Sequence, residues 1–205
     1  MTKVSAVLLA AGVSSRMGEI NKLELMVDGI PLLRRTAEML LASDVKEIVV
    51  VLGYEAQKTR SMLQGLPVRF TTNDAYSEGQ MTSVYTGLLS IAQDCDGVMI
   101  CLSDQPLLQA ADINVLIDAF GKRSHGSILV PTFEGQRGNP IIFDFRHRQE
   151  ILNGKRNFGC KKLIEKNAQE VCSFEMKNNH VVLDLDTPEQ YAAFKAQSIN
   201  LRDVI

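Results

Sequence analysis

The amino-acid sequence predicts an α/β fold of three layers, in which helices cover both faces of a mostly parallel, partly mixed central sheet. Short apolar runs rich in Val, Ile and Leu alternate along the chain with longer stretches of helical spacing. Such alternation is typical of strands that are buried on both faces and joined by crossover helices. No internal repeat or long linker interrupts the pattern, so we expect residues 1–205 to form a single domain.

The predicted elements follow one another along the whole chain. Strands are predicted at Val4–Leu9, Glu47–Leu52, Gly97–Leu102, Ser127–Pro131, Pro140–Phe143, Val171–Phe174 and Val181–Leu185. Helices are predicted at Leu32–Leu41, Met81–Ala92, Asp112–Phe120, within Phe158–Asn167, and at Glu189–Gln197. Strands are denser after Ser127, which indicates that the sheet becomes mixed there.

The composition is that of an ordinary soluble protein, with 45% hydrophobic and 22% charged residues. A net charge of -2 and a pI near 5.9 provide no basic surface, so we expect neither a nucleic-acid nor a membrane partner. The apolar run Val4–Ala11 is too short to cross a membrane and lacks the pattern of a signal peptide. The four cysteines show no C-x-x-C spacing and suit a reducing compartment, so we expect a cytoplasmic location.

The loop after the first strand has the composition of an anion-binding turn. Ligands of open α/β sheets bind at the carboxyl ends of the strands, and the first strand is followed there by Ala10–Gly18. Gly12 lets backbone N–H groups approach a ligand, while Arg16 and Lys22 supply positive charge for a polyphosphate. The spacing fits neither a P-loop nor a dinucleotide-binding motif. A small-residue turn with exposed basic residues remains the alternative.

Two aspartates are predicted to lie at the same edge of the sheet. Asp104 follows the strand Gly97–Leu102, and Asp186 follows the predicted strand Val181–Leu185. Mg²⁺ in nucleotide sites takes one or two carboxylates together with phosphate oxygens, so Asp104 and Asp186 are the candidate magnesium ligands.

Structural roles for these aspartates remain open. Asp104 suits a turn cap before Pro106, and Asp186 flanks a helix start at Thr187. Asp184 competes for the metal role because residues two apart share a face of a strand. We favour Asp186 because it is nearer the strand end.

Several motifs together resemble a known family. The string L-A-A-G-x-S-x-R-M-G, followed closely by N-K-L, resembles the signature of the MobA-like nucleotidyltransferases, and in particular their molybdenum-cofactor cytidylyltransferase branch. S-D-Q-P at Asp104 matches the family's [GS]-D-x-P metal motif, and D-L-D-T-P-E at Asp186 resembles its D-[IL]-D-T-P-E segment. The resemblance runs from Leu8 to Glu189. It implies a Rossmann-like nucleotide-diphospho-sugar transferase fold and a Mg²⁺-dependent enzyme.

The resemblance also implies roles for individual residues. A partial match to an N-x-x-x-x-E-G-x-x-x-S stretch adds residues at positions 73–83 to the nucleotide site. The implied catalytic residues are Arg16, Lys22 and Asp104, and Asp104 with Asp186 is the implied metal pair. The implied nucleotide-binding residues are Leu9, Ala10, Ala11, Gly12, Arg16, Lys22, Asn73, Gly79, Ser83 and Asp104.

The acceptor side matches the family less well. R-G-N-P resembles its R-G-[HN]-P element, and the implied acceptor-binding residues are Gln105, Arg137, Gly138, Asn139, Pro140, Gly159 and Lys161. Asn139 stands where His is commoner and cannot serve as an acid or base near neutral pH. In the loop that aligns with G-D-x-G-[AC]-R, Asn157 replaces the acid and Lys161 replaces arginine. Lysine keeps the charge but loses bidentate phosphate geometry.

The activity that the resemblance implies is transfer of CMP from CTP to molybdopterin or its molybdenum form, with release of pyrophosphate. Ala11 favours CTP, since the guanylyl branch usually has glycine there. GTP as donor, a sugar or polyol phosphate as acceptor, and a non-catalytic carrier that delivers the cofactor to a molybdoenzyme remain alternatives. His125, His147 and His180 lie outside every motif, and we expect them at the surface or in loops.

Overall fold

The computed structural model describes residues 2–18, 20–154 and 158–202. The strands are β1 (Val4–Ala10), β2 (Met26–Val27), β3 (Ile30–Pro31), β4 (Glu47–Leu52), β5 (Arg69–Thr72), β6 (Gly97–Leu102), β7 (Ile128–Phe133), β8 (Gln136–Arg137), β9 (Ile141–Asp144) and β10 (Val171–Glu175). The helices are α1 (Leu32–Leu41), α2 (Ala56–Met62), α3 (Gln80–Ser90), α4 (Ala110–Lys122), α5 (His147–Asn153), α6 (Cys160–Lys166) and α7 (Pro188–Arg202). Within the described ranges, no helix combines the length and apolar character that a membrane crossing requires.

The main sheet has the order β10-β7-β9-β6-β1-β4-β5, with β8 paired to β7. Strand β1 lies near its centre and pairs in parallel with both β4 and β6. Strand β9 is antiparallel to both of its neighbours, β6 and β7. The predicted mostly parallel sheet that becomes mixed after residue 127 is therefore confirmed.

Helices cover both faces of this sheet. Alternate residues of β1 belong to two separate cores, Leu8 to one and Val7 to the other. The first core packs against α1, α2 and α4, and the second packs against α3, α5 and α6. All seven residues of β1 are buried because helices cover the strand from both sides. The three-layer prediction is confirmed.

The predicted strand Val181–Leu185 is wrong. Asn179–Val181 forms a 3₁₀ turn, and residues 182–187 run without a sheet partner. The segment contains apolar residues because Leu185 packs in a small core with Met17 and Leu32. An extended segment that is buried on one side produces the same two-residue period as a strand.

Several short elements, whose apolar residues show little periodicity, were not predicted from the sequence. Strand β5, helices α2 and α5, and the hairpin of β2 and β3 are additions that the structure makes. The expectation that His147 lies at the surface or in a loop is also wrong, because it is buried in α5. Its Nε2 is 2.6 Å from the hydroxyl of Ser127 and its Nδ1 is 3.1 Å from Glu150 Oε2. A hydrogen-bond partner on each ring nitrogen lets the polar ring be buried.

We predict that Gly87→Ala lowers the free energy of unfolding by about 1–3 kcal/mol, although alanine favours a helix interior. A Cβ at Gly87 would lie 2.3 Å from Val7 Cγ1 and 3.0 Å from Val51 Cγ2, so α3 would have to move away from the sheet. Urea unfolding measures the change. Leu89→Ala, on the exposed side of α3, is the control and should change stability by no more than about 0.5 kcal/mol. Unchanged stability in Gly87→Ala would contradict this packing.

Candidate active site

A cavity of about 510 Å³ lies at the carboxyl ends of β1 and β6, next to the start of α3. This is the edge at which open α/β sheets bind ligands. Ten predicted site residues line it, namely Leu9, Ala10, Ala11, Gly12, Arg16, Lys22, Gly79, Ser83, Asp104 and Asp186. Lining residues that the sequence did not single out include Tyr76, Ser77, Gln80 and Ser103. Ser103 precedes Asp104 in the S-D-Q-P motif, and this position could have identified it as a site residue from the sequence.

The loop after β1 is shaped by small residues. A Cβ at Gly12 would meet nothing within 4 Å, so the backbone there is open to a ligand. A Cβ at Gly53 would lie 2.7 Å from the Cβ of Ala11, so Gly53 is the residue that leaves room for Ala11. The hydroxyl of Ser103 donates to the carbonyl oxygen of Leu9 at 2.9 Å and ties the end of β6 to the end of β1.

Lys22 is held by a short capped turn. The side chain of Asn21 accepts a hydrogen bond from the N–H of Leu23 at 3.1 Å and caps the 3₁₀ turn Lys22–Glu24. The hydroxyl oxygen of Ser14 accepts from the N–H of Lys22, also at 3.1 Å. The backbone of Lys22 is thus fixed, while its side chain extends into the cavity.

The two candidate metal ligands meet at one ammonium group. Lys22 Nζ lies 2.5 Å from Asp104 Oδ2 and 3.1 Å from Asp186 Oδ1. Arg16 Nη1 lies 2.8 Å from the other oxygen of Asp186. Burial acts to lower the pKa of Lys22, but the attraction of Asp104 and then of Asp186 outweighs it, so the pKa is raised above its usual value. Lys22 therefore remains charged between the two carboxylates.

A third carboxylate lies close to this pair. Burial, and after it the negative charges of Asp104 and Asp186, raise the pKa of Asp184 to about 6. One oxygen each of Asp104 and Asp184 is buried without a hydrogen-bond partner. In the described part of the chain, no three His, Cys, Asp or Glu side chains are grouped as metal ligands. The candidate cation ligands in the cavity are therefore Asp104 and Asp186, which both contact Lys22.

Asn73 lies behind the cavity wall and not on it. Its side-chain N–H₂ donates to Thr82 Oγ1 at 2.8 Å and to Ser83 Oγ at 2.9 Å, and its oxygen accepts from the N–H of Ala75. On the same helix, Thr86 donates its hydroxyl proton to a backbone carbonyl. Among the described residues, the Ser83 hydroxyl has no such acceptor. Asn73 therefore leaves that hydroxyl as a hydrogen-bond donor at the cavity.

Three predicted acceptor-side residues hold the segment that leads to Asp186. The side-chain amide of Gln105 donates to the carbonyl oxygen of Val181 at 2.7 Å, and the N–H of Asn139 donates to the same oxygen at 2.9 Å. A Cβ at Gly138 would lie 2.5 Å from that oxygen, so only glycine fits there. Pro140 follows Asn139 through a cis peptide bond. These residues lie outside the cavity lining, and their acceptor roles stay predictions.

Of the remaining predicted acceptor-side residues, Gly159 and Lys161 lie at the start of α6, and Arg137 lies on β8. Gly159 packs against Met81 at the start of α3, where a Cβ would lie 2.8 Å from Met81 Cγ. Burial raises the pKa of the neighbouring Cys160 to about 12, and the positive charge of Arg137 acts in the opposite direction. Lys161 is exposed, with Nζ 3.9 Å from Glu165. Asn157 lies outside the described residues.

The fold is the nucleotide-diphospho-sugar transferase fold, which solved structures of nucleotidyltransferases share. Residues 6–171 match the model of the MobA-like NTP transferase domain, and the chain belongs to this family.

Its relatives carry different names. Nicotine blue oxidoreductase from Paenarthrobacter nicotinovorans is 27% identical over 91% of this chain and 94% of its own. Molybdenum cofactor cytidylyltransferase from Escherichia coli K12 is 23% identical over 95% of this chain and 97% of its own. 2-C-methyl-D-erythritol 4-phosphate cytidylyltransferase from Pelotomaculum thermopropionicum is 34% identical over 64% of this chain and 57% of its own.

Solved structures share the fold over nearly the whole chain. A homologue of Rv0371c from Mycobacterium sp. strain JC1 has a TM-score of 0.83 and 25% identity, covering 97% of this chain and 98% of its own. Rv0371c from Mycobacterium tuberculosis, solved in complex with manganese, has a TM-score of 0.77 and 22% identity, covering 94% of this chain and 97% of its own. These likenesses confirm the predicted fold.

Replacing Asp184 with asparagine is expected to remove a pH-dependent cost to stability. Because the pKa of Asp184 is about 6 in the folded protein and 3.8 ordinarily, the folded state keeps a proton that the unfolded chain has lost. This group therefore lowers the stability of the metal-free wild type as the pH rises through that interval. Urea unfolding at several pH values should show the stability gap in favour of Asp184→Asn widening from about pH 4 to about pH 7. A gap independent of pH would contradict the raised pKa.

We predict that Asn73 affects nucleotide affinity only through Ser83. Ser83→Ala should weaken nucleotide binding about fivefold, the value of one ordinary hydrogen bond. Asn73→Ala should also weaken it, but should add nothing in a chain that already carries Ser83→Ala. Calorimetric titration of the four proteins with nucleotide measures the coupling.

Thr86→Ala is the matched control for this cycle, since the Thr86 hydroxyl is bonded within its own helix, and it should leave affinity unchanged. Losses that simply add would mean that Asn73 contacts the nucleotide directly.

Proposed function

We propose that this protein transfers CMP from CTP to molybdopterin, or to its molybdenum form, in a Mg²⁺-dependent reaction that releases pyrophosphate. The observation that carries the proposal is the meeting of Asp104 and Asp186 at Lys22, beside the open backbone of Gly12. The cytidylyltransferases among the relatives support the reaction type. The four unpaired cysteines favour a cytoplasmic location.

The reaction needs positioning and charge stabilisation more than proton transfer. A terminal phosphate oxygen of the acceptor attacks the α-phosphorus of CTP and forms a new P–O bond, while the bond from the α-phosphorus to the bridging oxygen breaks. That oxygen leaves with the pyrophosphate. Because the nucleophile is already an anion, no protein group has to act as a general base. Arg16, Lys22 and the Gly12 backbone bind the β- and γ-phosphates and stabilise the charge on the leaving group.

Asp104 and Asp186 are the residues that would hold Mg²⁺. They fit this role because both already face one cation, and because the second oxygen of Asp104 is buried without a partner. When bound, the metal offsets the negative charge of the triphosphate. The manganese complex of Rv0371c supports use of a divalent ion in this fold.

The choice of CTP is supported by Ala11, which lines the cavity where the guanylyl branch usually has glycine. GTP remains the alternative donor. A sugar or polyol phosphate is the alternative acceptor. The similarity to 2-C-methyl-D-erythritol 4-phosphate cytidylyltransferase supports this alternative. A carrier that hands the cofactor to a molybdoenzyme would need neither the metal pair nor turnover. The relative named as nicotine blue oxidoreductase suggests no further alternative, because its name identifies no residue of this chain with a redox role.

The deciding experiment is an assay of pyrophosphate release by purified protein with Mg²⁺, labelled CTP or GTP, and candidate acceptors. We expect release with CTP and molybdopterin, together with a labelled product. Release only with a sugar phosphate would reject the pterin acceptor. Tight binding of molybdopterin without any turnover would favour the carrier.

Asp104→Asn is expected to lower turnover by about 10²–10³-fold, because a metal ligand and the charge that orients Lys22 are both lost. Circular dichroism and thermal melting check that the variant folds. Asp118→Asn is the matched control, since Asp118 is exposed on α4 and, within the described residues, forms an ion pair only with Lys122. It should retain full activity. Equal activity of Asp104→Asn and the wild type would exclude Asp104 from the reaction.

A further inference from the structure

Lys22 places a positive charge between the two candidate metal ligands. Lys22 Nζ contacts one oxygen of Asp104 at 2.5 Å and one oxygen of Asp186 at 3.1 Å. The Lys22 side chain is only 20% exposed, so solvent screens these contacts weakly. The second oxygen of Asp186 is taken by Arg16. Among the oxygens of this pair, the only one without a partner in the described structure is Oδ1 of Asp104.

A divalent ion and the Lys22 ammonium group cannot both occupy this position. Metal–oxygen distances for Mg²⁺ are about 2.1 Å, so an ion bound to both carboxylates would lie in the space that Nζ now fills. Like charges at such short separation repel strongly in a partly buried site. The backbone of Lys22 is fixed by Ser14 and Asn21, so the side chain must rotate for the metal to bind.

We propose that Lys22 is an internal counter-ion that blocks the metal site in the free protein, and that the triphosphate of the nucleotide opens the site by drawing Lys22 away. This inference rests on the proposed function, because it takes Asp104 and Asp186 as the metal ligands. Lys22 exchanges the two carboxylates for phosphate oxygens, which are equally good acceptors for its three N–H groups. The vacated carboxylates then receive the divalent ion.

The consequence is a strong positive coupling between metal and nucleotide. A ligand shifts a two-state equilibrium by its differential affinity for the two states, and both metal and nucleotide favour the state in which Lys22 has left the carboxylates. Each must therefore raise the affinity of the other by the same factor. Part of that factor comes from direct contact between the ion and the phosphates, and the rest comes from Lys22. Removing the Lys22 charge isolates the second part.

The test is a titration of Mn²⁺ into the full-length protein, followed by the electron paramagnetic resonance signal of free Mn²⁺. Lys22→Met keeps the length of the side chain and removes its charge. We expect Lys22→Met to bind Mn²⁺ alone about tenfold or more tightly than the wild type does, within the usual range of coupling. We also expect a non-hydrolysable CTP analogue to improve Mn²⁺ affinity by a smaller factor in the variant than in the wild type.

Lys58→Met is the matched control, because Lys58 also pairs with a carboxylate, that of Glu24, but outside the main cavity. It should bind Mn²⁺ as the wild type does. Mn²⁺ affinity in Lys22→Met that equals or falls below that of the wild type overturns the inference. Thermal melting establishes that each variant is folded.

A further pair of variants separates this inference from the proposed function. As a single substitution, Asp104→Asn should weaken Mn²⁺ binding in the presence of the CTP analogue. Added to Lys22→Met, it should weaken Mn²⁺ binding without the analogue, since the same carboxylate is required in each case. If Asp104→Asn weakens the first but Lys22→Met never tightens binding, the metal site stands and the role of Lys22 fails. If Asp104→Asn changes neither, the metal lies elsewhere and the metal assignment fails together with this inference.

Discussion

One short connection between distant parts of the chain shapes the candidate active site. The N–H of Leu185 donates to the carbonyl oxygen of Asp104 at 2.9 Å, and the side chain of Gln105 holds the carbonyl oxygen of Val181. These bonds fasten an extended segment, which has no sheet partner, across the end of β6. Because Leu185 packs inward in the small core with Met17, Asp186 is left on the side of Lys22. These bonds hold the carboxylates of Asp104 and Asp186, which are far apart in the sequence, next to each other at Lys22.

The meeting of acids has an electrostatic cost that the neighbouring cations offset. Asp104, Asp184 and Asp186 bring three carboxylates together, and burial raises the pKa of Asp184 because its charged form is poorly solvated. Lys22 and Arg16 balance the other two. This charge balance is the basis of the proposed exchange, in which a divalent ion replaces Lys22 at the carboxylates when the lysine binds a more strongly charged partner. A triphosphate is such a partner.

The sequence predicts those parts of the fold that depend on strong local patterns. Gly97–Leu102 and Glu47–Leu52 are strands with the predicted bounds, because a fully buried strand is a continuous apolar run with clear ends. Val181–Leu185 was mispredicted because its period reports one-sided burial and contains no information about hydrogen-bond partners. His147 was misplaced for a related reason: its burial depends on Ser127, a partner 20 residues away, and no local pattern encodes that contact.

The same limit applies to the site. Gly12, Lys22 and Asp104 were found because a short motif surrounds each of them, and they line one cavity. The sequence grouped Asn73 with the nucleotide-binding residues, yet only the structure shows that it reaches the cavity through Ser83. Motifs point to candidate residues, whereas the distinction between lining the cavity and positioning another side chain depends on the three-dimensional arrangement.

The division of the site between two parts of the chain explains how one scaffold accommodates relatives with different names. Apart from Asp186, every predicted residue that lines the cavity lies between Leu9 and Asp104 in the sequence, at the end of β1, in the loops after β1 and β6, or at the start of α3. Apart from Gln105, which follows Asp104 directly, the predicted acceptor-side residues lie around β8 and β9 and at the start of α6. Since an anionic phosphate needs no general base, a change of acceptor requires a new binding surface and no new catalytic group. Under the proposed function, the choice of acceptor can therefore change around β8, β9 and the start of α6 while the nucleotide side stays the same.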